Sequence, residues 1–206
     1  MNKKNKINFI IKSLNKIYPN PIISLKYNNP FTLLVATILS AQTTDKRVNK
    51  VTNTLFKVAD TPDKMSKLSI ESIKFYIKEL GLYNIKAKNI YNISKILLKK
   101  YQGLVPSSFK ELEKLPGVGH KTASIIMSEI FKIPTFPVDT HIHRLMKLWK
   151  LSSGKNVKET EKSAKKIFPK ANWNKLHLQI ILYGREYSPS RNLDLEKDFI
   201  TKKILQ

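Results

Sequence analysis

The stretch Leu115-Pro116-Gly117-Val118-Gly119-His120-Lys121-Thr122-Ala123 reads as the end of one helix, a glycine turn and the start of the next. Pro116 cannot sit in a helix interior, because its ring removes an N–H and clashes with the preceding turn. Gly117 and Gly119 tolerate positive φ and a close backbone approach. A helix then starts at about His120 and carries Ala123, Ile126, Met127 and Ile130 along one face. Free N–H groups at that start point outward, and the helix dipole favours an anion there. A nucleic-acid phosphate fits such a site without any base being read. Taken alone, Gly-Val-Gly also describes an ordinary pair of helices joined through a glycine cap. A nucleotide P-loop is excluded, because His120 stands where its last glycine belongs, Leu115 where its first belongs, and the preceding segment reads as helix.

Eighteen positions beyond Lys121 comes Val138-Asp139-Thr140-His141. An amine and a carboxylate supply the two parts of an attack on a sugar carbon: a nucleophile, and a negative charge to steady the developing positive one. A lysine amine with the ordinary pKa of about 10.4 is well under 1% neutral at pH 7. A helix N-terminus, nearby cations and desolvation all favour the neutral, attacking form. Read singly, Lys121 is a phosphate contact and Asp139 a helix N-cap. A carboxylate has lone pairs enough to cap a helix and face a substrate.

Composition narrows the classes. A chain of 206 residues, 41% hydrophobic, supports one large or two small cores and buries roughly 70% of its unfolded surface. The net charge of +23, from 38 basic and 15 acidic residues, favours a polyanionic partner. Part of it reflects lysine bias, since arginine stands only at 47, 144, 185 and 191. The absence of cysteine excludes disulfides, zinc-thiolate sites and cysteine-ligated iron-sulfur clusters. No apolar run approaches the ~20 residues of a membrane span. The stretch Ile7–Ile11 is interrupted by Asn8 and is too short for a secretion signal. A soluble cytoplasmic protein is expected.

The periodicity is helical nearly throughout. Ile7, Ile10, Ile11, Leu14 and Ile17 form one apolar face. Asn29 and Pro30 start a helix through Leu39, and Thr44-Asp45 start the next through Leu55. Ser69 caps Ile70 to Leu80, which Gly81 ends, and a long segment begins at Asn84. Ser108 with Glu111, and Asn156 with Glu159, have capping-box spacing. Pro134-Thr135-Phe136-Pro137 breaks the helices and marks a crossing between two lobes. Without alternating strands, the expectation is all-α, with about ten short helices. Trp149 and Trp173 read as core, and His141 and His143, two apart, cannot share an ion on one helix face.

The hairpin followed by Val-Asp-Thr-His resembles the signature of the endonuclease III family of helix-hairpin-helix DNA glycosylases. Further resemblance lies in Leu39-Ser40-Ala41-Gln42-Thr43-Thr44-Asp45, Gly81-Leu82-Tyr83-Asn84 with Lys86-Ala87, Gly154-Lys155-Asn156-Val157 and Tyr183-Gly184-Arg185. These motifs follow in order over about residues 20 to 187.

The resemblance implies a two-lobed fold with the active cleft between the lobes. Residues 22–133 would form a six-helix barrel bearing the hairpin, and 1–21 with 134–206 a second helical lobe. It implies a bifunctional glycosylase and AP lyase that removes oxidised pyrimidines from damaged double-stranded DNA. Lys121 would form the Schiff base, β-elimination would cut 3′ to the abasic site, and Asp139 would assist. Pro116, Gly117, Val118, Gly119, His120 and His141 would contact DNA. Gln42 would fill the space of the extruded base, and Leu82 would wedge into the stack. Many relatives hold a [4Fe-4S] cluster through four cysteines past the Gly-Arg motif. Here that region reads Tyr187-Ser188-Pro189-Ser190-Arg191-Asn192, so no cluster and no other metal is expected. Monomeric action is the simplest expectation. The alternative is a non-catalytic helix-hairpin-helix DNA-binding protein derived from a glycosylase.

Overall fold

The structure is a computed structural model that describes residues 1–191 and 193–206; Asn192, in the cysteine-free tail, lies outside the described residues. The chain is all-α, as its periodicity predicts, with no strand among the described residues. In chain order the helices are α1 (Lys3–Ile17), α2 (Pro30–Leu39), α3 (Asp45–Val58), α4 (Pro62–Lys67), α5 (Ile70–Ile77) and α6 (Tyr83–Tyr101). They continue with α7 (Phe109–Leu112), α8 (His120–Glu129), α9 (Thr140–Leu148), α10 (Val157–Ile167), α11 (Trp173–Glu186) and α12 (Phe199–Leu205). A 3₁₀ turn, Lys170–Asn172, precedes α11. The described helices thus slightly outnumber the ten or so expected. The chain divides into two compact units, Ile23–Phe131 and Met1–Ile22 with Lys132–Gln206.

In the first unit α2 is the central pillar. Asn29 accepts from the Thr32 N–H at 2.9 Å, the Thr32 hydroxyl accepts from the Asn29 N–H at 3.0 Å, and Pro30 opens the helix. Every residue from Phe31 to Leu39 is buried, so the helix has no wet face. The apolar faces of α3 (Val48, Val51, Leu55), α5 (Ile73, Ile77), α6 (Ala87, Ile90, Ile93, Leu97) and α8 (Ala123, Ile126, Met127) complete this core. Each fully buried large aliphatic side chain contributes about 1.5–3 kcal/mol.

The second unit assembles α1, α9, α10, α11 and α12 around Trp149, Phe136 and Tyr183. Trp149 is fully buried and Trp173 packs against the core, as expected. Gly184 permits the crossing of α9 and α11: a Cβ there would lie 3.0 Å from the His141 Cβ and 3.2 Å from Leu145 Cδ1. Gln179 on α11 donates to the Tyr18 carbonyl at 2.8 Å and to Asn15 Oδ1 at 3.1 Å, fastening the end of α1.

The cysteine-free tail folds back on this unit. Asp198 Oδ1 accepts from the Tyr183 hydroxyl at 2.7 Å and from the Thr201 N–H at 3.0 Å. Burial and that carboxylate push the Tyr183 hydroxyl well above its ordinary pKa. Trp149 Nε1 donates to the Thr201 hydroxyl at 2.9 Å, and Ile200 and Ile204 are buried. Tyr183 stacks on Tyr187 at 5.2 Å with Phe199 edge-on to both. Arg144 donates to the Ser188 hydroxyl and carbonyl, holding the turn after α11.

Local expectations failed at three caps. Helix α5 ends at Ile77, and the left-handed residue is Leu82 (φ 60°) rather than Gly81. Ser108 makes no side-chain cap; Glu111 is instead taken by the Tyr101 hydroxyl at 2.6 Å and by Lys114. Thr44 precedes α3 without a side-chain bond, whereas Asn156 does cap α10. In the Glu111 case a tertiary partner outcompetes the local cap.

Replacing Asp198 with Ala leaves the buried Tyr183 hydroxyl proton and the Thr201 N–H without their acceptor, and costs on the order of 2 kcal/mol. Urea midpoints measure it, and an unchanged midpoint would refute this role for Asp198.

Candidate active site

The hairpin is anchored from within. The Val118 N–H donates to the Leu115 carbonyl at 3.1 Å, closing a turn with Pro116 second and Gly117 third at φ 75°. That order suits a type II turn, whose third position requires positive φ. A Cβ on Gly117 would also fall 2.5 Å from Asn89 Nδ2 of α6. Leu115 and Val118 are buried, so Val118 offers a ligand its backbone rather than its side chain. Gly119 is not left-handed either: at φ −94° and ψ 178° it is the N-cap of α8, and a Cβ there would meet open space. No side-chain hydrogen bond caps α8 at this end.

Lys121 is exposed in the first turn of α8. His120, beside it, stacks on Phe109 at 5.7 Å, and its Nδ1 lies 2.9 Å from Glu113 Oε1. In the other unit Asp139 is the N-cap of α9, its Oδ1 accepting the Ile142 N–H at 2.9 Å. The capping role read from sequence therefore holds. His141 follows, half-buried against Gly184. Burial lowers its pKa from 6.5, Asp139 pulls it back up, and Arg185 and Arg144 push it down. His143 Nδ1 engages the Thr160 hydroxyl at 2.8 Å, away from His141.

Gln42 and Leu82 share a backbone feature. Both are exposed, and both are left-handed at φ 56° and 60°. Leu82 is 51% exposed, which rules out the core position its apolar side chain alone would suggest. A non-glycine residue held this way stores about 1–2 kcal/mol of strain, and such strain collects at functional sites.

The residues past α11 do not fit an iron-sulfur cluster. That region supplies no thiolate, its Ser188 and Asp198 side chains are engaged by Arg144 and Tyr183, and its helix packs through Ile200 and Ile204. Among the described residues no group of three or more His, Cys, Asp or Glu is placed to hold a metal. No helix of the described residues is long and apolar enough to cross a membrane.

Residues 35–170 match the HhH-GPD superfamily of base excision DNA repair proteins. The chain is 43% identical to endonuclease III of Buchnera aphidicola from Schizaphis graminum, over 98% of this chain and 96% of the relative. It belongs to the endonuclease III family. Endonuclease III of Escherichia coli K12 is 43% identical over 90% of this chain and 87% of its own. A trapped endonuclease III–DNA covalent intermediate superposes with a TM-score of 0.91 at 36% identity, each chain covered in full. The protein is accordingly a base-excision-repair DNA glycosylase with AP lyase activity.

In this endonuclease III family member, Lys86 is a functional candidate that sequence reading quoted within a motif but gave no role. Its signal was present: it falls on the apolar stripe of α6 with Ile90, Ile93 and Leu97, where a charge has no place unless paired.

Two predictions follow from this geometry. Gly117→Ala places a side chain at φ 75° and beside Asn89, costing about 1–2 kcal/mol, and weakening duplex DNA binding; equal affinity by fluorescence anisotropy would argue against the turn's role. Because His141 resists protonation in the fold, the unfolded chain takes up its proton first as pH falls below 6.5. Stability therefore falls as pH drops through 6.5 towards the folded-state value, with no His141 contribution to the slope above. Denaturation midpoints of the His141→Gln variant across pH 5–8 (about the range where histidine titrates) should show a shallower acid limb.

Proposed function

We propose that Lys121 is the nucleophile and that the substrates are oxidised or ring-damaged pyrimidines in duplex DNA. The observation that carries this reading is the exposed amine in the first turn of α8, directly after an uncapped helix start that suits a backbone phosphate. Held there, the amine attacks the deoxyribose C1′ of an extruded nucleotide. The C1′–N bond breaks, and the base leaves with that electron pair and takes up a proton. The attached amine gives up a proton, the C1′–O4′ bond breaks, and O4′ takes up a proton as the sugar ring opens to a protonated imine. Loss of a proton from C2′ then expels the 3′ phosphate, which is β-elimination.

In the same reading Asp139 steadies the cationic sugar, or helps to deprotonate the amine, while its Oδ1 holds the start of α9. Pro116, Gly117, Gly119 and His120 line the phosphate path with the Val118 backbone, and His141, at the start of α9, contacts DNA as well. Gln42 and Leu82 enter the duplex around the extruded base, and an apolar wedge offsets part of an unstacking cost of a few kcal/mol. The enzyme works as a monomer in the cytoplasm, associated with the nucleoid through DNA, and without an iron-sulfur cluster. The sequence supports this last point directly, since there is no cysteine to ligate one. The domain division expected from sequence, 22–133 against 1–21 with 134–206, is proposed as the functional division of the chain.

Borohydride trapping tests the central claim. With duplex containing thymine glycol or an abasic site, reduction should yield a covalent protein–DNA adduct that Lys121→Ala abolishes while binding persists. An adduct of undiminished yield in Lys121→Ala would remove Lys121 as the nucleophile. No adduct on either substrate, despite tight binding, would favour a DNA-binding protein without catalysis.

A further inference from the structure

Lys86 is 4% exposed, on the buried stripe of α6. Its ammonium donates to the Leu39 carbonyl at 2.9 Å, the Ala41 carbonyl at 2.8 Å and the Thr43 hydroxyl at 3.1 Å. An ammonium has three N–H bonds, and these three acceptors match them. All belong to one short segment, the end of α2 and the turn after it, and Gln42 lies inside that segment. The charge also sits at the negative end of the α2 dipole. Burial lowers the pKa of this amine, so the contact persists against a desolvation cost.

The same residue reaches the second probe through its backbone. The Lys86 N–H donates to the Leu82 carbonyl at 3.0 Å, the bond that opens α6. One residue thus joins the turn bearing Gln42 to the turn bearing Leu82, and both turns are left-handed at those positions. Strained conformations of this kind persist only where the surroundings over-determine them. Around Gln42 the Thr43 N–H to the Ser40 carbonyl at 3.1 Å, and the three contacts of Lys86, supply that constraint.

We propose that Lys86 is a positioning residue that sets the spacing of Gln42 and Leu82, and so governs the extrusion of the damaged nucleotide without touching DNA. This rests on the reading of Gln42 and Leu82 as residues that enter the duplex. A misplacement of about 1 Å in such a constellation costs on the order of 100-fold in rate. Lysine is required because its bond to the Leu39 carbonyl is buried, and a shorter or apolar side chain leaves that carbonyl without its ammonium partner.

The test compares two activities of the full chain. Excision of thymine glycol from duplex requires extrusion; strand cleavage at a preformed abasic site in single-stranded DNA does not. Lys86→Met should lower duplex excision by about 10- to 100-fold, leave single-strand cleavage within about threefold, and abolish the fluorescence rise of 2-aminopurine placed opposite the lesion. In a Gln42→Ala/Leu82→Ala background the same substitution should add little, because both act on one step. Equal losses in both activities would reduce Lys86 to a structural residue and overturn the proposal. Wild-type excision by Lys86→Met, with Gln42→Ala and Leu82→Ala impaired, would overturn it while the wedge reading stands. Wild-type excision by Gln42→Ala and Leu82→Ala would remove the wedge reading and the proposal with it. Should Lys86→Met fail to fold, Thr43→Val deletes one of the three acceptors, and the same ratio of activities decides the question.

Discussion

A helix with no wet face must be closed at both ends from inside the protein. Helix α2 is buried from Phe31 to Leu39, and its last carbonyls cannot rely on solvent. The Asn29–Thr32 reciprocal cap settles the first end and the Lys86 ammonium settles the second. Between these points the surrounding helices find their partners. The turn that carries Gln42 emerges directly from the lysine-bound end, so the burial of one helix places an exposed residue.

The second unit shows the same device with different chemistry. Gln179 fastens the end of α1, and Asp139 closes the start of α9, where the expected catalytic carboxylate also stands. A carboxylate used as a cap has its position fixed through the backbone it holds. Gly184 then allows α9 and α11 to approach closely, which seats His141 in the half-buried setting that lowers its proton affinity. The tail is pinned through one oxygen of a buried carboxylate, Asp198 Oδ1. Tyr183, Asp198, Thr201 and Trp149 form hydrogen bonds inside an aromatic cluster.

Much of this was legible in the chain. Period, Asn29-Pro30, Ser69, Asn156 and the glycine turn mark where helices begin and end, because capping chemistry is local and a few residues carry it. The charge and the missing cysteines bounded partner and cofactor through composition alone. Misreadings occurred where a distant residue won a local contest. Glu111 left its cap for Tyr101 and Lys114, and the left-handed position went to Leu82 although Gly81 stood beside it.

The sequence by itself determined an all-helical chain with a glycine turn, an amine after it, a carboxylate eighteen residues on, and no cysteine to ligate an iron-sulfur cluster. Those properties reside in residue types at short spacings. Only the tertiary structure decided that Val118 faces the core, that Leu82 is exposed, and that a lysine on an apolar stripe binds three oxygens some forty-five residues earlier. Spacing along the chain says nothing of which distant carbonyl a buried ammonium will meet. That pairing is set by the desolvation cost of leaving either group alone, and it takes form only when α2 and α6 pack.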